Sequence, residues 1–68
     1  MSEGKVKWFD NDKGYGFLQP DDGDRDLFVH YSKIVGDGYK QLEVGDRVSF
    51  EQIDTDRGPQ AVEVVKLP

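Results

Sequence analysis

Two short runs, Lys13-Gly14-Tyr15-Gly16-Phe17-Leu18 and Leu27-Phe28-Val29-His30-Tyr31, set planar rings among glycines and beside a lysine. The chemistry such residues offer is non-covalent. A ring presents a π-face, every nucleobase presents another, and the two stack with little regard to base identity, at about 1–3 kcal/mol per base. Side chains alternate between faces along a strand. If the runs are strands with Leu18, Leu27 and Val29 inward, then Tyr15, Phe17, Phe28 and His30 stand together on the outer face. An outer face tiled with rings is costly in water unless something covers it. Gly14 and Gly16 either clear space for a base to approach or serve turn geometry and a tight bend. Lys7 and Lys13 are placed to add phosphate contacts.

Other chemistries have little to build on. His30 is the only histidine and the chain has no cysteine, so a nitrogen–sulfur metal site lacks ligands. A catalytic base needs a nucleophile and an orienting partner, and the sequence identifies no such set around His30. Asp21, Asp22, Asp24 and Asp26 lack the ligand pattern of a calcium loop and read as a solvated acidic turn. We therefore expect no catalytic residue, no metal, no cofactor and no small-molecule substrate. Tyr31, Tyr39 and Arg57 stay open on pattern alone, each either an ordinary surface residue or a ligand contact.

The elements that must hold these rings are short strands. Lys5–Asp10 reads as the first, closed by the turn residues Asn11-Asp12-Lys13-Gly14. Tyr15–Gln19 follows, ending at Pro20, and Asp26–His30 is the third. Arg47–Ile53 alternates, with Val48 and Phe50 on one face and Ser49 and Glu51 on the other. Asp54–Pro59 reads as a loop, and Ala61–Lys66 as a last strand with Val62 and Val64 inward. No helical period persists. Five such strands predict an all-β, five-stranded, nearly or fully closed antiparallel barrel. In the long connection from Tyr31 to Asp46, Ser32–Val35 predicts one helical turn, with Ile34 and Leu42 pinning the segment to the core. Alternation conflicts with itself once. Val6 and Trp8 share parity, so either Trp8 is core and Phe9 lies outside, or a bulge after Lys7 re-aims the strand.

The chain has 68 residues, the size of one small domain over residues 1–68. It carries 14 acidic against 9 basic side chains, a net charge of −5. That balance is unusual for a nonspecific nucleic-acid binder. The surplus lies away from the first aromatic run. Lys5, Lys7 and Lys13 balance Glu3, Asp10 and Asp12, whereas the Asp21–Asp26 turn and the last third of the chain are acidic. Affinity for a polyanion must then lean on stacking. No apolar run approaches a membrane span or signal-peptide core, and the absence of cysteine is compatible with a reducing compartment. We expect a soluble, cytoplasmic monomer with no membrane partner.

The two runs resemble the paired ribonucleoprotein motifs of the cold-shock domain family. Gly4-Lys5-Val6-Lys7-Trp8-Phe9 resembles the family opening, and Ser32, Ile34, Gly38-Tyr39-Lys40, the Gly45 turn and Arg57-Gly58-Pro59-Gln60-Ala61 follow in the family's order. The resemblance covers essentially the whole chain. It implies a Greek-key barrel of the oligonucleotide-binding (OB) fold that binds single-stranded RNA and DNA and acts as an RNA chaperone. It implies stacking by Trp8, Tyr15, Phe17, Phe28, His30, Tyr31 and Tyr39, and polar contacts from Lys7, Lys13, Asp26, Arg57, Lys40 and Gln60. Trp8 is thereby placed on the surface. The chain departs from the family pattern at Asp10 and Glu63, where asparagine is common, and at Tyr15, Tyr31 and Tyr39, where phenylalanine is frequent. The two acids add phosphate repulsion, and the tyrosine hydroxyls suit an exposed position.

The function expected is a non-enzymatic single-strand binder that keeps transcripts unpaired, with regulatory or antitermination roles among relatives. A small barrel that binds proline-rich peptides on an aromatic groove is the alternative. Size and acidity suit it, but glycine-flanked rings beside Lys7 and Lys13 suit it poorly.

Overall fold

The computed structural model describes residues 2–23, 25–36 and 42–68. Five strands, β1 (Ser2–Asp10), β2 (Tyr15–Pro20), β3 (Leu27–His30), β4 (Arg47–Thr55) and β5 (Gly58–Lys66), close into a barrel in the order β1-β2-β3-β5-β4. All neighbours are antiparallel except β3 and β5, which meet in parallel at Phe28 and Gln60. A 3-10 turn at Tyr31–Lys33 follows β3. Among the described residues no helix is long and apolar enough to cross a membrane.

The β1–β2 connection is built by its own sequence. Asp10 Oδ1 accepts hydrogen bonds from the backbone N–H groups of Asp12 and Lys13 at 2.9 and 3.0 Å. The Gly14 N–H donates to the Asp10 carbonyl at 2.7 Å. Gly14 can close the turn because its φ is +80°, a left-handed value that a side chain would disfavour. The rest of the barrel closes around Val6, Leu18, Leu27, Val29, Val48, Phe50, Ala61 and Val64. Ile34 and Leu42 join that core, as their sequence setting predicted. Ile34 bridges to Val64, and Asn11 holds Leu42 by both ends of its amide, donating to the Leu42 carbonyl at 3.2 Å and accepting from its N–H at 3.3 Å.

Simple alternation fails at two register shifts, and each failure re-aims side chains. In β1 the register passes from Val6–Leu18 directly to Trp8–Phe17, leaving Lys7 as an extra residue. Trp8 therefore points outward, 43% exposed, and Phe9 packs against the core. In β4, Val48, Ser49 and Phe50 are all buried, so Ser49 is not on an outer face with Glu51 as parity had it. The same irregularity, between the pairs Ser49–Val65 and Glu51–Val62, gives β5 one residue more than β4. Consequently Ala61 and Val64 point inward, three apart, and Val62 is only half-buried. The strands also run longer than composition suggested. Ser2–Gly4 pair with β4, and Asp54–Pro59 form a hairpin end, with Thr55 paired to Gly58 around Asp56-Arg57.

Two measurements follow from these features. Glu63 has φ of +50°, the one non-glycine residue in the left-handed region among those described. Such backbone costs a side-chain-bearing residue about 1–2 kcal/mol, and asparagine tolerates it better than glutamate. Glu63→Asn should raise the unfolding free energy by up to about 1 kcal/mol. An unchanged or lower urea midpoint would show that the bulge is unstrained. At the start of β1, Asp21 accepts a two-pronged bond from Arg47 at 2.7 and 2.6 Å, with Glu3 3.5 Å from the same guanidinium. The hydrogen bond and charge of Arg47 hold the Asp21 carboxyl below the usual carboxylate range. Its contribution is thus present above the unfolded-state value near pH 4 and disappears as pH falls through the lower folded value. The stability gap between the wild type and Asp21→Asn should shrink on acidification through that window. A gap that is constant in acid titration melts would exclude the pair as its source.

Candidate nucleic-acid interface

Residues paired across neighbouring strands share a face. The register places Trp8 beside Phe17, Phe17 beside Phe28, Phe28 beside Gln60 and Gln60 beside Ile53, one row crossing every strand of the barrel. A second row beside it runs Asp10, Tyr15, His30. The rings in these rows touch. Trp8 lies 5.6 Å from Tyr15 edge-on and 6.2 Å from Phe17, and Phe28 lies 5.9 Å from both Tyr15, nearly parallel, and Phe17, edge-on. Trp8 and Phe17 are exposed, and Tyr15 and Phe28 are half-buried by one another. The sheet thus carries a continuous apolar shelf, as the parity of the two runs predicted.

The shelf depends on a close approach of β1 and β2. A Cβ on Gly16 would strike the Trp8 carbonyl oxygen and come within 2.6 Å of the Phe9 Cα. Gly16 therefore serves the tight bend rather than clearance for a ligand. Gly14 does the same at the turn, where a Cβ would lie 2.6 Å from the Tyr31 ring. Tyr31 sits over Gly14, half exposed, with its ring 4.5 Å from that of His30. The His30 Nδ1 accepts from the Ser32 N–H at 3.3 Å and lies 2.8 Å from the Ser32 hydroxyl. In the neutral ring, Nδ1 then carries the lone pair, and the Nε2–H is left to donate outward.

Polar groups fringe the rings. Lys7, on the bulge, reaches Asp26 at 3.1 Å, and both side chains are exposed. Lys13 is exposed in the turn beside Gly14. At the other end of the row Arg57 and Gln60 join Phe17 and Phe28 around a cavity of about 250 Å³. The structure therefore gathers Lys7, Trp8, Lys13, Tyr15, Phe17, Asp26, Phe28, His30, Tyr31, Arg57 and Gln60 on or around one surface. Tyr39 and Lys40 lie outside the described residues.

Sequence reading passed over three contributors. Ser32 fixes the His30 ring, and Asn11 ties the turn to Leu42. Neither announces itself, since a serine and an asparagine in turns are ordinary. Ile53, 43% exposed, was detectable: it shares parity with Glu51, so alternation along β4 sets an apolar side chain on the outer face.

Comparison with known proteins agrees with this geometry. The family model described as the "'Cold-shock' DNA-binding domain" matches residues 2–67. The chain is 60% identical over 67 residues to the cold shock protein CspD of Bacillus subtilis (strain 168), covering 98% of this chain and all of that one. It is 57% identical to CspB of Geobacillus stearothermophilus over the same shares of both chains, and 55% identical to CspA of Staphylococcus aureus (strain USA300), again over 98% of this chain and all of the relative. Among solved structures, drosophila Unr CSD456 superposes with a TM-score of 0.81 at 25% identity over 98% of this chain, which spans 26% of that longer protein. A ring-bearing closed barrel, a family match across nearly every residue and full-length relatives at this identity make one conclusion: the chain belongs to the cold-shock domain family, non-enzymatic proteins that bind nucleic acid.

Proposed function

We propose that this chain, one domain over residues 1–68 acting as a cytoplasmic monomer, binds single-stranded RNA and DNA and serves as an RNA chaperone. The observation that carries this reading is the unbroken contact of Trp8, Tyr15, Phe17 and Phe28 on an open sheet face. Rings already in mutual contact lose little freedom when a base covers them, so most of the stacking energy is kept. His30 and Tyr31 extend the surface toward Lys13, while Arg57 and Gln60 supply donors at the Phe28 end. Weak sequence preference follows, because every base has a face to offer. Duplex bases are not available to stack, so the protein binds the open state and draws structured RNA toward it by mass action. Keeping terminator or leader stems open would give the same activity a regulatory or antitermination role.

Replacing Phe17 or Phe28 by alanine should weaken oligothymidine binding by about 1–3 kcal/mol each and leave the fold intact. Trp8 emission during titration reports the affinity, and thermal melts report the fold. Unchanged affinity in both variants would remove the rings from the interface. Wild-type quenching by a proline-rich peptide but not by the oligonucleotide would replace this reading with peptide recognition.

Asp10 permits a cleaner electrostatic test. Its Oδ1 accepts two of the turn's hydrogen bonds, and an asparagine oxygen can accept the same two, without the carboxylate's charge. Asp10→Asn thus removes one charge beside Tyr15 and His30 without remaking the turn. Binding should tighten at low salt and converge on wild type at high salt, as screening requires. Identical affinities across the salt series would place the phosphate backbone away from Asp10.

A further inference from the structure

Resting on the reading above, the geometry points to Ile53 as a further binding position, onto which the bound strand continues after it passes Phe28. Three observations lead there. Ile53 is the β4 member of the row Trp8, Phe17, Phe28, Gln60, Ile53, so its side chain shares the shelf's face. It is 43% exposed, as open as Trp8, so an apolar side chain continues the outward row at its β4 end. Gln60, which separates it from Phe28, lines the cavity that Phe17, Phe28 and Arg57 also line. Gln60 is paired in turn with Ile53, which lies two strand spacings, roughly 10 Å, beyond Phe28.

The occupant is the same single strand. An aliphatic side chain cannot supply a π-face, but it can cover the apolar face of a sugar or base whose other side meets solvent. Arg57, in the two-residue turn between β4 and β5, puts a cation beside this end of the row. Beyond Ile53 the same face of β4 presents Glu51, which repels phosphate. The path is thus bounded, and Ile53 is its last favourable contact.

A length series separates this from the core of the interface. Oligothymidines from about four to about ten nucleotides are titrated against the wild type, Ile53→Ser and Ile53→Phe, with melts confirming that each variant folds. Short oligonucleotides occupying the rings should bind all three proteins equally. Once the oligonucleotide is long enough to reach β4, Ile53→Ser should fall behind the wild type, on the order of fivefold, as expected for an aliphatic side chain left uncovered. Ile53→Phe should bind at least as tightly as the wild type at those lengths. If the three proteins trace one length profile, or if Ile53→Ser loses the same factor at every length, the extension onto β4 is wrong. A wild type that binds no oligothymidine at any length would instead sink the single-strand reading itself.

Discussion

One additional residue in β1 sets the character of this surface. Without the Lys7 bulge, Trp8 would follow Val6 into the barrel and Phe9 would be left outside. With it, the largest ring in the chain turns out beside Phe17, and a smaller ring takes its place against the core. The bulge also settles what Gly16 must be, because the displaced β1 backbone passes so close that no side chain fits there. Its hydrogen bonds are met from elsewhere: Val6 donates to the Asp46 carbonyl and accepts from the Gly45 N–H, both at 2.9 Å. A local irregularity is thereby tied to the far connection that ends in β4, and the barrel and the shelf stand or fall together.

The charge distribution complements this arrangement. The protein is acidic overall, and several of its cations are already committed, Arg47 to Asp21 and Glu3, and Lys66 to Asp46. Surface ion pairs of this kind contribute little individually. They do consume positive charge that a nonspecific polyanion binder would leave open. What remains near the rings is Lys13 and Arg57, with Lys7 itself paired to Asp26, a fringe too sparse to dominate the binding of a polyanion. Stacking is short-ranged and depends little on salt, so a surface built this way offers contact with planar groups rather than long-range attraction for anions.

Much of this was legible in the residues. The parity of Tyr15–Leu18 and Leu27–His30 separated ring face from core face, and the turn chemistry of Asp10–Gly14 located the hairpin. What resisted reading was the extra residue at the β4–β5 register shift. At Lys7 the parity conflict of Val6 and Trp8 raised a bulge as one of two readings without deciding between them. Nothing in Ser49 or Glu63 marks the second shift, because bulges are imposed by barrel curvature and cross-strand fit rather than by local propensity. Resemblance to the cold-shock family placed Trp8 correctly, whereas the pattern of apolar residues placed it both ways. The β4–β5 end was misread for a related reason. Thr55-Asp56-Arg57-Gly58-Pro59 has the composition of an open loop, yet a tight two-residue turn absorbs it. The Thr55 hydroxyl donates to the Gly58 carbonyl at 2.8 Å and accepts from the Arg57 N–H at 3.2 Å. Arg57 and Gln60 consequently stand on a paired, hydrogen-bonded hairpin end rather than in an open loop.

The contact between Lys7 and Asp26 carries a thermodynamic corollary. A lysine that meets phosphate ordinarily sheds a condensed cation from the polymer, and that release produces the steep decline of nucleic-acid affinity with added electrolyte. In the binding mode proposed above, a phosphate that reached Lys7 would have to displace a carboxylate that is already in place. The vacated aspartate then stands beside the new anion and favours retention of a counterion, so the net release at this position approaches zero. Ionic strength also loosens the lysine from its intramolecular partner while it weakens attraction to the polymer, two effects of opposite sign. Counting lysines near the rings would therefore overstate how sharply this protein lets go of its ligand as the electrolyte concentration rises.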